Sequence, residues 1–280
     1  MLIHLTARTA FGTKPFVDAR EAWWLWRRLR LHFPHALTAC LMPDHVHLAL
    51  DAEPLAATER LARLLAAARR HRPPQAWGRV RDATPIADAR HLQRQIRYVH
   101  LNPCRAGLVR DPLAWPWSTH RGVIGAEARP WVSAATLAAR FRRDEQGFAR
   151  WFHAYVSGDT SAAVTGTAFP TLVPPAKHPS FSLTSIRAAL DSAALWCNVV
   201  TRRRALVQLA RQQGWRNGSG LPELCATSPR TVRRHTACRL ETVLLEAARL
   251  CLGDTRLVLA PEVLSAIGER SRARVLLHAA

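Results

Sequence analysis

Alternation opens the chain. Leu2 to Arg8 sets Ile3, Leu5 and Ala7 on one face and His4, Thr6 and Arg8 on the other, the period of a half-buried strand. Asp18, followed three residues on by Glu21, predicts a capped helix start, and Trp23, Trp26 and Leu29 give that helix an apolar stripe. Ala36 to Met42 is apolar enough for a buried strand, and Pro43-Asp44 is a turn pair. Alternation returns over His45 to Asp51, with Val46, Leu48 and Leu50 facing one way and His45, His47, Ala49 and Asp51 the other. Helical spacing follows over Pro54 to Arg70, with Leu61, Leu64, Leu65 and Ala68 inward, then a short strand near Ala76 to Val80. A last helix is predicted over Asp88 to Asn102, stopped by Pro103. The order βαββαβ plus a late helix predicts an α+β, ferredoxin-like antiparallel sheet with helices.

Beyond this region the pattern changes. Residues 126–157 are expected as a helical extension, and the Ser-, Thr-, Pro- and Gly-rich stretch 158–182 as a linker. Residues 201–213 form a basic amphipathic helix. In SGLPELCATSPRTVRRHTA, Leu221, Leu224 and Val232 fit the buried positions of a helix-turn-helix. Ser228 and Pro229 are N-cap and first-turn signals for its second helix. Ala226 stands at the turn where Gly is usual, and Pro222 lies within the first helix. An all-α helix-turn-helix domain is thus expected over 183–260 and a tail over 261–280.

Charge narrows the function. The 280 residues carry 40 Lys+Arg against 20 Asp+Glu, a formal +20. Lys14 and Lys177 are the lysines, so 38 of the 40 are Arg, which favours bidentate phosphate and base contacts. Residues 1–150 hold 24 basic and 12 acidic residues, and 151–280 hold 16 and 8, so both halves suit a polyanion. A hydrophobic fraction of 48% excludes wholesale disorder, and no run reaches the length of a membrane span. The six cysteines contain no C-x-x-C pair and the start lacks a signal-peptide pattern, so a reducing cytoplasm is expected.

Two constellations carry chemistry. His45-Val46-His47 places two imidazoles on one strand face, within reach of one divalent ion; a solvated strand face has the same pattern. On the helix ARHLQRQIRYVHLNP, Ala89, Leu92, Ile96 and Val99 form the core stripe, while His91, Gln95, Tyr98 and Asn102 form a polar one. Arg94, Arg97 and the following Arg105 are candidate DNA contacts beside it. Pro103 is expected to push Asn102 out of helical geometry and free its amide. Tyr98 reads either as an amphipathic residue at the core edge or as a nucleophile toward a phosphodiester, with metal charge stabilisation from the histidines. Its one companion is Tyr155. In the C-terminal half, Arg230, Thr231, Arg233 and Arg234 read as major-groove and phosphate contacts, against a helical bundle with a solvated Arg face. Arg202, Arg203 and Arg204 read as phosphate contacts or a solvated helix end.

LMPDHVHLAL, followed by IRYVHLNPCRAGLV and then WPWS, resembles the single-tyrosine HUH transposases of the insertion-sequence-200 type, in particular the REP-associated tyrosine transposases. The resemblance covers residues 1–125. It implies a ferredoxin-like HUH fold, cleavage and rejoining of single-stranded DNA hairpins (REP-like palindromes), and Mg²⁺ or Mn²⁺. His45 and His47 match the metal ligands, Tyr98 the nucleophile that forms a 5′-phosphotyrosine, and Asn102 a third polar ligand. Asp44 stands where Asn is frequent in the family. Duplex contact through the C-terminal domain, a monomer or homodimer, and no membrane partner complete the expectation. The rival reading is a non-catalytic DNA-binding protein with a vestigial HUH site; a metal-dependent hydrolase ranks behind it for want of a zinc-type ligand set.

Overall fold

The computed structural model describes residues 1–9, 18–71, 77–158, 179–216 and 220–267. Most of the expected linker and residues 268–280 of the expected tail lie outside them. The chain divides into two compact units, Met1–Ile124 with Trp131–Thr160, and Gly125–Pro130 with Ser161–Ala280.

The first unit is α+β. It runs β1 (Leu2–Thr9), α1 (Ala19–His32), β2 (Ala36–Leu41), β3 (His45–Asp51), α2 (Pro54–His71), β4 (Trp77–Val80), β5 (Thr84–Pro85) and α3 (Ala89–Arg105). The sheet order is β2-β3-β1-β4, antiparallel at every pairing, so each helical crossover skips a strand. The short β5, absent from the sequence expectation, continues the β4 edge by pairing His4 with Thr84. Ile3, Leu5 and Ala7 are fully buried, as their alternation requires. Asp18 caps α1 by accepting from the N–H groups of Arg20 and Glu21, both at 2.9 Å, and α1 buries Trp23, Trp26 and Leu29. Glu53 caps α2 through the N–H groups of Leu55 and Ala56.

Three expectations change in α3. The helix passes through Pro103 to Arg105, and Asn102 stays helical. Pro103 lacks the N–H that would return to the Val99 carbonyl, so one helical hydrogen bond is forgone two residues before the helix ends. Leu108 N–H donates to the Pro103 carbonyl at 2.9 Å and closes the end. Ala89 is exposed, whereas His100 joins Leu92, Ile96, Val99 and Pro103 on the buried side.

The chain after α3 widens the sheet. Leu41 N–H donates to the Trp117 carbonyl at 2.9 Å, and Thr119 N–H to the Ala39 carbonyl at 3.0 Å, so residues 117–119 zip onto the outer edge of β2. The indole of Trp115 donates to the Leu41 carbonyl at 3.0 Å. The WPWS motif is therefore an edge clamp, which also protects the strand from foreign pairing. The short helices α4 (His120–Val123), α5 (Ala134–Arg140) and α6 (Phe148–Ser157) complete the unit.

The described part of the second unit is helical: α7 (Leu183–Ala193), α8 (Val199–Gln212), α9 (Leu221–Leu224), α10 (Pro229–Ala237) and α11 (Thr242–Gly253). Residues 126–130 of the expected helical extension belong here, with Gly125, because Ala128 N–H donates to the Ala193 carbonyl at 3.0 Å and Trp196 reaches Glu127. Residues 261–267, expected as tail, are helical and bury Val263, Ala266 and Ile267. The first helix of the expected helix-turn-helix shortens to the single turn α9, with Pro222 at its start. Ala226 takes the left-handed φ of +46° where Gly was missed. Ser228 and Pro229 start α10 as expected, with Ser228 Oγ accepting from Thr231 N–H at 3.2 Å.

Candidate functional site

β1 and β3 pair with Thr6 opposite His47 and Arg8 opposite His45, while His4 lies diagonal to His47. Side chains of one parity on both strands therefore gather on one face. The middle of that face is covered: α3 packs over it and His47 is 4% exposed, while Arg8 and Asp51 at its ends stay exposed. The strand alternation alone left a solvated face open; the helix closes it.

Each imidazole has one nitrogen anchored. His47 Nδ1 shares hydrogen bonds with His4 Nε2 at 3.0 Å and Thr6 Oγ1 at 3.3 Å, and the two rings stack at 5.2 Å. His45 Nδ1 bonds Asp44 Oδ1 at 2.5 Å. Asp44 in turn accepts from Arg8 Nε at 3.1 Å. The second nitrogen of His47, Nε2, is buried and has no hydrogen-bond partner among the described residues. The His45 and His47 rings meet edge to face at 4.8 Å, and His47 meets the Tyr98 ring at 5.7 Å. α3 thus delivers Tyr98 to the imidazole pair.

Burial keeps the His4 and His47 imidazoles uncharged. Burial, with the neighbouring His4, His45 and Arg8, lowers the His47 pKa to about 3. Burial and repulsion from His91 lower that of His4 to about 4. Partial burial raises the Asp44 carboxyl, but His45 and Arg8 outweigh it and hold it below its usual range. A neutral imidazole with one nitrogen tied to a polar side chain, as at His47, is the protonation state and orientation that metal ligation requires. Among the described residues no group of three or more His, Cys, Asp and Glu is placed to hold a metal. Asp51, on the same strand, pairs instead with Arg140.

The polar stripe of α3 divides. Tyr98 is 41% exposed, with the Arg105 guanidinium 5.2 Å over its ring. Asn102 turns its Nδ2 back to the Tyr98 carbonyl at 3.2 Å, so its amide is held on its own helix rather than released. Arg94 is exposed. Arg97 lies over Tyr155 at 5.7 Å and donates to the Val156 carbonyl, which ties it to α6.

Sequence reasoning missed a second histidine group beneath the site. His100 is fully buried between Thr38 Oγ1 at 3.1 Å and Ser118 Oγ at 2.8 Å. His120 joins His153 at 3.1 Å beside it. Burial lowers the His100 pKa to about 3 and that of His120 well below its ordinary value. His4 and Thr6 were legible as the polar parity of β1; what the sequence lacked was the register that seats them against His47.

In the second unit, Arg230, Arg233 and Arg234 are exposed on α10, and Thr231 lies half-buried in its first turn. The phosphate role expected for Arg202–Arg204 is corrected in two places. Arg202 donates to the carbonyls of Cys197 at 3.0 Å and Leu195 at 3.1 Å, and Arg204 pairs with Glu241 at 2.8 Å. Both guanidiniums fasten loops.

No protein-family model matches the chain, and no curated protein does. Among solved structures the chain is similar to one described as the structure of a REP-associated tyrosine transposase bound to a REP hairpin, with 17% identity over 44% of this chain and 78% of that chain and a TM-score of 0.37. Among the described residues no helix is long and apolar enough to cross a membrane.

Proposed function

We propose that the first unit is a single-tyrosine DNA strand transferase of the REP-associated type, acting on hairpin-containing single-stranded DNA. The observation that carries this is the buried Nε2 of His47, without a hydrogen-bond partner among the described residues, beside the Tyr98 ring. An unsatisfied buried nitrogen costs about 1–3 kcal/mol and is retained where a ligand completes it. His45 and His47 would hold Mg²⁺ or Mn²⁺, with Asn102 as the third ligand. When bound, the ion withdraws charge from a phosphate oxygen.

The chain's own residues do the rest. Asp44 and the His4–Thr6 pair fix the two imidazoles. The Tyr98 hydroxyl attacks phosphorus: the Oη–P bond forms, the P–O3′ bond breaks, and the proton ends on the departing 3′-hydroxyl. The 5′-phosphotyrosine conserves the ester bond, so attack by a 3′-hydroxyl reverses the step without a nucleotide cofactor. Arg105 and Arg94 lie where exposed cations favour the strand. In the second unit we read α9 and α10 as a reduced helix-turn-helix, with Arg230, Thr231, Arg233 and Arg234 toward DNA.

The test is covalent capture. A labelled hairpin oligonucleotide incubated with the full chain and Mn²⁺ should give a denaturation-resistant adduct. EDTA and Tyr98→Phe should each abolish it while hairpin binding persists. An adduct of undiminished yield in EDTA would remove the metal role.

A further inference from the structure

The face of the sheet opposite the histidines carries α1 and α2, and between these helices lies a cleft of about 380 Å³. Trp24, Arg28 and His32 line it from α1, and Arg60, Arg63 and Leu64 from α2. Positions 24, 28 and 32 recur once per turn, and 63 and 64 lie one turn beyond 60, so each set forms one face turned to the other. Paired helices usually set apolar or oppositely charged ridges against each other. Here three guanidiniums converge, and among the described residues no carboxylate lines the cleft.

The arrangement is held, not splayed. Arg60 donates to the His32 carbonyl at 3.3 Å, bridging the helices. Arg28 lies 5.5 Å over the Trp24 ring. Arg63 is exposed and has no ion-pair partner among the described residues. Burial, followed by the charges of Arg28 and Arg60, lowers the His32 pKa, which registers the positive field inside the cleft. Like charges held together repel, and an anion relieves that repulsion.

We propose that this cleft binds the phosphodiester backbone of a nucleic-acid strand, at a site separate from the Tyr98 face. Three features favour a strand over a lone phosphate. From Trp24 to His32 the α1 ridge rises about 12 Å, longer than one phosphate group. The donors are arginines, whose planar forks suit successive phosphate oxygens, and Trp24 adds the aromatic surface found in single-strand channels. The chain's formal +20 draws polyanions more strongly than small anions. The inference does not need Tyr98 to be a nucleophile. With the cleft engaged, one molecule would hold nucleic acid on both faces of its sheet.

The test uses the full chain in EDTA, where no cleavage occurs. Binding of a fluorescein-labelled oligothymidylate is titrated across salt concentrations for the wild type, for Arg28→Gln/Arg63→Gln, and for Arg142→Gln/Arg150→Gln, which removes the same charge elsewhere. Each lost phosphate contact should lower the log K against log salt slope by about 0.7, so the cleft variant should lose about 1.4. Its low-salt Kd should rise about tenfold or more, and the control should stay near wild type. A 4-thiothymidine oligonucleotide should also photo-crosslink to α1 or α2 peptides in the wild type and lose that crosslink in the cleft variant. Equal slopes in all three proteins would overturn the proposal, as would equal losses in both variants. Displacement of the oligonucleotide by inorganic phosphate at matched ionic strength would also overturn it, because the cleft would then be a small-anion site. Adduct formation at Tyr98 is scored separately in Mn²⁺, so its failure would leave this result standing.

Discussion

Ser118 tests how the WPWS clamp supports the histidine layer. Its Oγ, in a residue 1% exposed, bonds His100 Nδ1 at 2.8 Å and accepts from His120 N–H at 3.1 Å. Ser118→Ala leaves both groups buried without that partner. An orphaned buried donor or acceptor costs about 1–3 kcal/mol, so two cost about 2–6 kcal/mol together. For a unit of this size each kcal/mol moves Tm by about 2–4 °C, which puts the expected drop at about 4–24 °C. Urea unfolding followed by tryptophan fluorescence reads the free energy, and calorimetry reads the Tm. The double variant His100→Leu/Ser118→Ala removes one of the orphans and should recover part of the loss, a non-additivity that bulk loss of packing would not produce. A Ser118→Ala penalty below about 0.5 kcal/mol would refute the network's role.

Acidification should act through the same layer. His47 and His100 are held at about 3 and His4 at about 4, all below the ordinary 6.5. The unfolded chain therefore binds protons that the folded chain refuses. Stability is complete above about pH 6.5 and falls below it by about 1.4 kcal/mol per pH unit for each such histidine. Urea midpoints at successive pH values in EDTA should show this fall, with a shallower one in His100→Gln; a flat profile down to about pH 5 would contradict it. His4→Phe/Thr6→Val keeps a stacked ring but frees His47 Nδ1, and should weaken Mn²⁺ binding about 10–100-fold by calorimetric titration; unchanged affinity would remove the positioning role. Arg202→Met should lower stability by about 1–3 kcal/mol and leave duplex affinity intact. Replacing Arg230, Arg233 and Arg234 with Gln should do the reverse, and a triple variant with wild-type duplex affinity would make α10 structural.

Local signals in the sequence reached far. Period-2 alternation found β1 and β3 and put His45 and His47 on one face, because a strand's parity is set by its own residues. Helical spacing likewise put Tyr98 and Asn102 on one stripe of α3. What stayed hidden depends on contacts distant along the chain. His4 becomes the partner of His47 only through the β1–β3 register. His100 reads as one more polar residue until Thr38 and Ser118 close around it. Pro103 reads as a stop because local sterics argue so, yet a final turn tolerates it. Arg202 and Arg204 look like a solvated basic run until the carbonyls of Leu195 and Cys197 and the carboxylate of Glu241 claim them.

The chain has two tyrosines, Tyr98 beside His47 and Tyr155 stacked on Trp151 at 5.3 Å. Proteolysis of the Mn²⁺-dependent hairpin adduct and mass spectrometry of the nucleotide-bearing peptide therefore decide which residue is the nucleophile. A 5′-phosphonucleotide is expected on the α3 peptide carrying Tyr98, and none after Tyr98→Phe. A nucleotide on the α6 peptide carrying Tyr155, or no adduct from a folded, hairpin-bound, Mn²⁺-loaded protein, would contradict it.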